Sequence, residues 1–204
     1  MTATRGKRKP NTLRSVVELV LTVAVAIGIA LIIQATLVKP YKIPSASMEP
    51  TLTIGQRVLV NRLDTHPSLG NVVVFHPSAG ADAEQCGEQN QGLNHPQACD
   101  RPTTESSETF IKRVVGLPGD RISIRDGHVI RNGVEEKAPY ARPCGGGPNC
   151  NFPKTITIPA GHYFMMGDNR GDSDDSRFWG PVPQSWIIGV AFLTYWPIDR
   201  IGTL

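Results

Sequence analysis

A mainly β domain, antiparallel and barrel-like or sandwich-like, carried behind one N-terminal transmembrane helix, is the fold this sequence predicts. Three observations predict it. The 20 residues from Leu19 to Val38, LVLTVAVAIGIALIIQATLV, contain no charge. Beyond them, short apolar runs alternate with Gly, Pro, Asn and Asp, the pattern of strands and turns. No long amphipathic helix pattern follows the apolar run.

The first 14 residues carry five basic groups (Arg5, Lys7, Arg8, Lys9, Arg14) and no acid, whereas the remaining 16 Lys and Arg stand against 18 Asp and Glu. A basic leader on a mildly acidic body lacks the basic face that nucleic-acid binding needs, so no nucleic-acid partner is expected. It suits a membrane topology signal. A helix of ~20 apolar residues spans ~30 Å, the hydrocarbon thickness of a bilayer, and positive charge marks the cytoplasmic side. The expected organisation is a cytoplasmic tail over 1–14, a transmembrane helix over 15–38 and an outer domain over 39–204. A cleavable secretory signal has an apolar region of roughly 7–15 residues and a small-x-small site after it. This run is longer, and QATLVKPYK offers no such site.

In the outer domain RVLVNRL, NVVVFH, TFIKRVVG, RISIRDGHVIRNGV, KTITIP, HYFMMG and IIGVAFLTYW read as strands. Asp126-Gly127 and Asn132-Gly133 are hairpin-turn dipeptides, and residues 121–160 form a smaller β subdomain or hairpin region. Residues 78–108, polar and acidic, read as a surface insertion, and residues 139–153 as a second irregular loop. Cys86, Cys99, Cys144 and Cys150 all follow the apolar run. Their spacing suggests the disulfides Cys86–Cys99 and Cys144–Cys150 in an oxidising compartment. Zinc would need a close C-x-x-C knuckle or H-E-x-x-H, and neither occurs. The aspartates of 168–175 miss the spacing of a calcium loop, so no metal or other cofactor is expected.

The stretch KIPSASMEPTL, Lys42 to Leu52, places two serines between two prolines a few residues beyond the apolar run. A serine hydroxyl attacks only when a neighbouring group removes its proton. None of the five histidines (His66, His76, His95, His128, His162) sits where its neighbours mark it as a base. Lys112 does. On a strand over 109–115, Phe110, Lys112 and Val114 share one face and Ile111, Arg113 and Val115 the other. An amine flanked by apolar side chains loses solvation, which favours its neutral form.

IPSASMEPTL, FIKRVVGLPGD and GDNRGDSDDSRFWGPVP, in that order behind a single anchor, resemble the type I signal peptidases, membrane-anchored serine proteases with a Ser-Lys dyad. The resemblance runs from the anchor to about Val190. It implies Ser47 as nucleophile and Lys112 as general base. Ser45 would add its hydroxyl to the Ser47 backbone N–H in an oxyanion hole, and Ser173 would orient the Lys112 amine. Asp175, Arg177 and Arg113 would form a supporting salt-bridge network, and Gly167, Asp168, Asn169 and Arg170 would shape the last loop. Ala46 stands where the family commonly has glycine, and Gly171-Asp172 where Asp-Asn is more usual.

The resemblance further implies a catalytic outer domain that cleaves N-terminal signal peptides from exported precursors after a small-x-small motif. The expected location is the plasma membrane of a bacterium, with the N-terminus cytoplasmic. Geometry points the same way, because eight residues from Lys39 to Ser47 span less than about 30 Å, so the nucleophile works near the bilayer. Met48, Phe110, Ile111 and residues near Val58–Val60 are candidates for the substrate pockets. Trp179, Trp186, Phe192 and Trp196 are candidates for resting on lipid. Two other readings compete. A self-cleaving Ser-Lys regulator of the LexA-like type would carry a helix-turn-helix segment, which is absent. A non-enzymatic, membrane-anchored, disulfide-stapled β binding module would leave Ser45, Ser47 and Lys112 unexplained.

Overall fold

The computed structural model describes residues 12–81, 104–146, 150–151 and 155–204. The chain divides into two compact units at the junction of Val38 and Lys39.

The first unit is helix α1, Thr12–Thr36, which contains a stretch long and apolar enough to cross a membrane. Leu19, Val20, Leu21 and Leu31 are exposed on it. The helix ends two residues before the apolar run does, because Pro40 lacks an N–H and disfavours helical backbone at Lys39. Val38 instead opens the first strand, β1, Val38–Lys42.

The second unit is mainly β. Along the chain follow β2 (Arg57–Asn61), β3 (Val72–Phe75), β4 (Phe110–Gly116), β5 (Arg121–Arg125), β6 (His128–Arg131), β7 (Val134–Glu135) and β8 (Ile156–Thr157). Then come β9 (His162–Met166), the one-turn helix α2 (Ser176–Trp179), β10 (Val182–Pro183), β11 (Ile187–Trp196) and β12 (Gly202–Thr203). The larger sheet has the order β1-β2-β11-β3-β4-β9-β10, with β12 on β11, and the smaller is β7-β6-β5-β8. Every strand the sequence predicts is found, among the described residues, at least in its central part. The short strands β1, β10 and β12 were not predicted, since two to five residues give too little alternation to read.

The turn dipeptides act as expected: Asp126-Gly127 and Asn132-Gly133 all have positive φ, which matches the right-handed twist of the hairpins β5–β6 and β6–β7. Strand β3 is buried along its whole length because the larger sheet is covered on both faces. Val73 and Phe75 pack with Val114, Met165 and Trp179; Val72 and Val74 pack with Ile43, Met48, Leu52, Val58 and Val60. A third cluster joins the two sheets through Val115, Ile122, Ile124, Phe164 and Met166.

The insertion begins and ends on described chain. Ser78 bridges to Glu105, and Ala79 N–H donates to the Thr104 carbonyl at 2.8 Å. Cys86 and Cys99, with their suggested pairing, lie outside the described residues, as does His95. Cys144 and Cys150 are joined in a disulfide.

Candidate active site

Ser47 sits in a 3-10 turn, Ala46–Met48, that the core holds in place. Ile43, Met48 and Leu52 are buried on either side of it, and Leu52 N–H donates to the Met48 carbonyl at 2.9 Å. Apolar side chains thus pin a polar turn, leaving the Ser47 hydroxyl at the floor of a cleft of about 610 Å³. Met48, a sequence candidate for the substrate pocket, belongs to the core instead, as do Val58 and Val60. Met48 anchors the turn that carries Ser47. Phe110 and Ile111 do line the cleft, together with Tyr41, Ile43 and Val74.

Lys112 reaches the same floor from the middle of β4. Cross-strand register sets it opposite Val73, with Arg113 opposite Val72. Its Nζ donates to Ser47 Oγ at 2.6 Å and lies 5.5 Å from the Phe110 ring centre. Only 4% of Lys112 is exposed. Burial pulls its pKa down to about 8, against the opposing pull of the Asp175 and Asp174 carboxylates. The amine therefore loses its proton within reach of ordinary pH. A neutral amine so placed has a lone pair that can accept the hydroxyl proton. Ser45, exposed at the cleft edge, has its Oγ 3.3 Å from Ser47 Oγ.

The loop after β9 is held by several buried ion pairs, and Arg177 and Arg113 meet different aspartates of it. Arg177 grips Asp175 with Nε at 2.8 Å and Nη2 at 2.9 Å, and the Gly167 N–H donates to the same carboxylate at 3.1 Å. Burial opposes the charge on Asp175, but Arg177 prevails and holds its pKa below the usual carboxylate range. Arg113 pairs instead with Asp168, at 2.8 Å and 2.7 Å, under the ring of Tyr140. The reason is strand alternation: Lys112 points toward the Asp175 side and Arg113 to the opposite face. Asp168 also accepts from Thr51 Oγ1 at 2.5 Å. The loop is further tied down by Arg170, which donates to the Gly167 and Gly127 carbonyls and pairs with Glu136 at 2.7 Å.

Ser173 differs from its expected role. It lines the cleft, but its Oγ makes no hydrogen bond. The hydroxyl is turned against Gly167 Cα, while the Ser173 carbonyl accepts from Arg177 Nη2 at 3.1 Å. Gly167 is the tightest point of the site. A Cβ there would collide with Ser173 Oγ and with the Ser47 carbonyl oxygen. Gly167→Ala is therefore expected to displace the Ser47 turn and lower kcat/KM about 100-fold, the cost of roughly 1 Å of misplacement. Peptide cleavage with melting as the folding control measures this.

The remaining candidates fall outside the cleft. His76 Nδ1 lies 2.6 Å from the Glu108 carbonyl, and His162 Nδ1 lies 2.9 Å from the Ala160 carbonyl. Neither His66 nor His128 lines the cleft. Trp179 is core and Trp186 packs against it, whereas Phe192 and Trp196 are exposed by 40% and 49%. Among the described residues no group of three metal-ligating side chains occurs. Sequence reasoning did not foresee Asp168 as the partner of Arg113, nor Tyr41 and Val74 as cleft walls. The signal for Val74 was available, since alternation on NVVVF puts Val72 and Val74 on one face.

A buried hydroxyl in contact with a buried amine, opening on a cleft in a mainly β domain, is the equipment of a serine protease. Comparison with known proteins narrows the class. The family model described as "Signal peptidase, peptidase S26" matches residues 16–196. A signal peptidase I of Leptolyngbya laminosa is 35% identical over 199 residues, covering 96% of this chain and 87% of that protein. A probable signal peptidase I-1 of Synechocystis is 35% identical, covering 96% and 90%. A signal peptidase IB of Staphylococcus aureus is 30% identical, covering 92% and 93%. The chain belongs to the S26 signal peptidase family.

Proposed function

We propose that this protein is a membrane-bound endopeptidase that removes N-terminal signal peptides from exported precursors, with Ser47 as nucleophile and Lys112 as base. The observation that carries the reading is the 2.6 Å contact between Ser47 Oγ and a Lys112 amine whose pKa burial lowers to about 8. Neutral Lys112 takes the Ser47 proton as Oγ bonds to the scissile carbonyl carbon. The resulting oxyanion lies between the Ser47 N–H and the Ser45 hydroxyl. The C–N bond then breaks, and the Lys112 ammonium returns its proton to the leaving amine, freeing the mature protein. The acyl-enzyme is hydrolysed by a water that Lys112 deprotonates in the same way. No histidine is needed.

Tyr41, Ile43, Val74, Phe110 and Ile111 give the cleft apolar walls, against which small apolar substrate residues can pack. An extended substrate can run between residues 43–46 and 108–111, adding a strand as other peptide binders do. The apolar α1 fits a membrane anchor, and basic residues ahead of it favour a cytoplasmic N-terminus in a bacterial plasma membrane. A catalytic domain beginning directly after that anchor meets precursors where their own apolar segments emerge.

The test uses the full chain in detergent with a precursor bearing an Ala-x-Ala site. One cut directly after that site, mapped by mass, is the expected product. An uncut precursor, or cuts scattered through the mature region, would overturn the proposal.

A further inference from the structure

We infer that Asn169 is a positioning residue for the oxyanion hole, acting through the peptide plane that joins Ala46 to Ser47. This rests on the reading of Ser47 as nucleophile. Asn169 is buried beside the cleft without lining it. Its backbone and its side chain each donate to the Ser47 turn: the backbone N–H to the Ser47 carbonyl at 3.0 Å, and the side-chain Nδ2 to the Ala46 carbonyl at 3.2 Å. The Ala46 carbonyl also accepts the Glu49 N–H at 3.0 Å. It is thereby held from two sides.

A carbonyl and the following N–H belong to one rigid plane. In a trans peptide they point in opposite directions, and the Ala46–Ser47 bond is trans. Holding the Ala46 carbonyl toward Asn169 therefore fixes the Ser47 N–H in the opposite direction, away from Asn169. Ser47 lines the cleft and Asn169 does not, so the N–H directed away from Asn169 is the one placed to meet a scissile carbonyl in the cleft. Oxyanion donors act through pre-set direction: a donor free to swing must be reoriented as charge develops, and the barrier rises accordingly. Without the carboxamide the peptide can rock about the Glu49 hydrogen bond alone. The loop supplies the rigidity behind Asn169, because the neighbouring Asp168 and Arg170 are both ion-paired.

Three predictions separate this role from general support. In Asn169→Ala the backbone contact to Ser47 survives, so the protein folds and KM stays within about twofold, while kcat falls about 10- to 100-fold. A peptide aldehyde that adds to Ser47 and mimics the oxyanion loses affinity by the same factor. The midpoint of the pH profile stays near 8, because Asn169 does not touch the Lys112 amine. Asn169→Asp keeps the shape but turns an acceptor toward the Ala46 carbonyl, and is expected to be at least as impaired. It serves as the second variant if the alanine protein melts early.

The experiment measures kcat, KM, aldehyde affinity and melting for wild type and both variants, using a synthetic Ala-x-Ala peptide. Parallel loss of kcat and aldehyde affinity at unchanged KM supports the role. Wild-type kcat in both variants, or a fall in kcat with aldehyde affinity intact, overturns it. Ser47→Ala, run alongside, keeps the two levels apart. If it still cleaves, the nucleophile assignment has failed; if it is dead while Asn169 variants are fully active, only the present inference has.

Discussion

Lys112→Arg is expected to extinguish precursor cleavage at every pH, although it keeps a positive charge on the same strand. Arginine does not surrender its proton in proteins, so no base faces Ser47. In the wild type, activity is expected to rise with pH around a midpoint near 8, where burial places the Lys112 pKa. At pH 7 about one amine in ten is then neutral. A plateau already reached at pH 6, or activity surviving in the arginine variant, would remove Lys112 from the mechanism. The same burial has a stability signature of definite sign. A lysine shifted from 10.5 to about 8 destabilises the folded state by about 3 kcal/mol wherever it is protonated in both states. Between pH 8 and 10.5 the unfolded chain binds more protons, so the wild type gains stability as pH rises through that window. Lys112→Met, similar in length and apolar, is expected to be inactive, to melt higher than wild type at pH 7, and to lack that gain.

Ser47→Ala is expected to lower cleavage by about 10⁴-fold or more while leaving the fold and the cleft intact. The turn is fixed by Ile43, Met48 and Leu52, none of which depends on the hydroxyl. The variant should still bind precursor, and a photo-crosslinker placed next to the Ala-x-Ala site should capture an uncut complex. Cleavage at wild-type rate would mean that another residue attacks. Loss of both cleavage and binding would assign Ser47 to substrate binding rather than to chemistry.

The parts of the fold legible in the sequence are those with long or regular patterns. An uncharged run of 20 residues is unmistakable at the period of a helix, and NVVVF or TFIKRVVG are unmistakable as strands. Strands β10 and β12, two residues each, exist through register with β9 and β11 rather than through any pattern of their own. In the candidate site, the serine pair and Lys112 stand out because each is chemically odd where it stands, and the resemblance to the signal peptidases is what singled out Ser47 and Lys112. A serine pair sits between prolines, and a lysine sits in an apolar strand. Their neighbours were harder to place. Asp168 and Asp175 lie seven residues apart in one acidic loop, and only the direction of each side chain decides which arginine it meets. Met48 was a candidate for the substrate pocket; it adjoins Ser47, but a one-residue step around a tight turn sends it into the core. Ser173 depended on a rotamer, which sequence does not carry.

The groups that meet at the cleft floor come from three distant parts of the chain: residue 47, residue 112 and the loop from 167 to 177. They converge through the pairing of β3 with β4 and of β4 with β9, and through the packing and hydrogen bonds that seat the Ser47 turn on β3 and on the loop after β9, contacts that close long stretches of chain and exist only once the sheet is complete. Until then Ser47 is an ordinary alcohol, and Lys112, still hydrated, an ordinary ammonium ion. A protease that emerges unfolded beside other unfolded chains is thereby harmless to them and to itself. Its cutting power switches on with the completed sheet, so the topology does the work that an inhibitory propeptide does elsewhere.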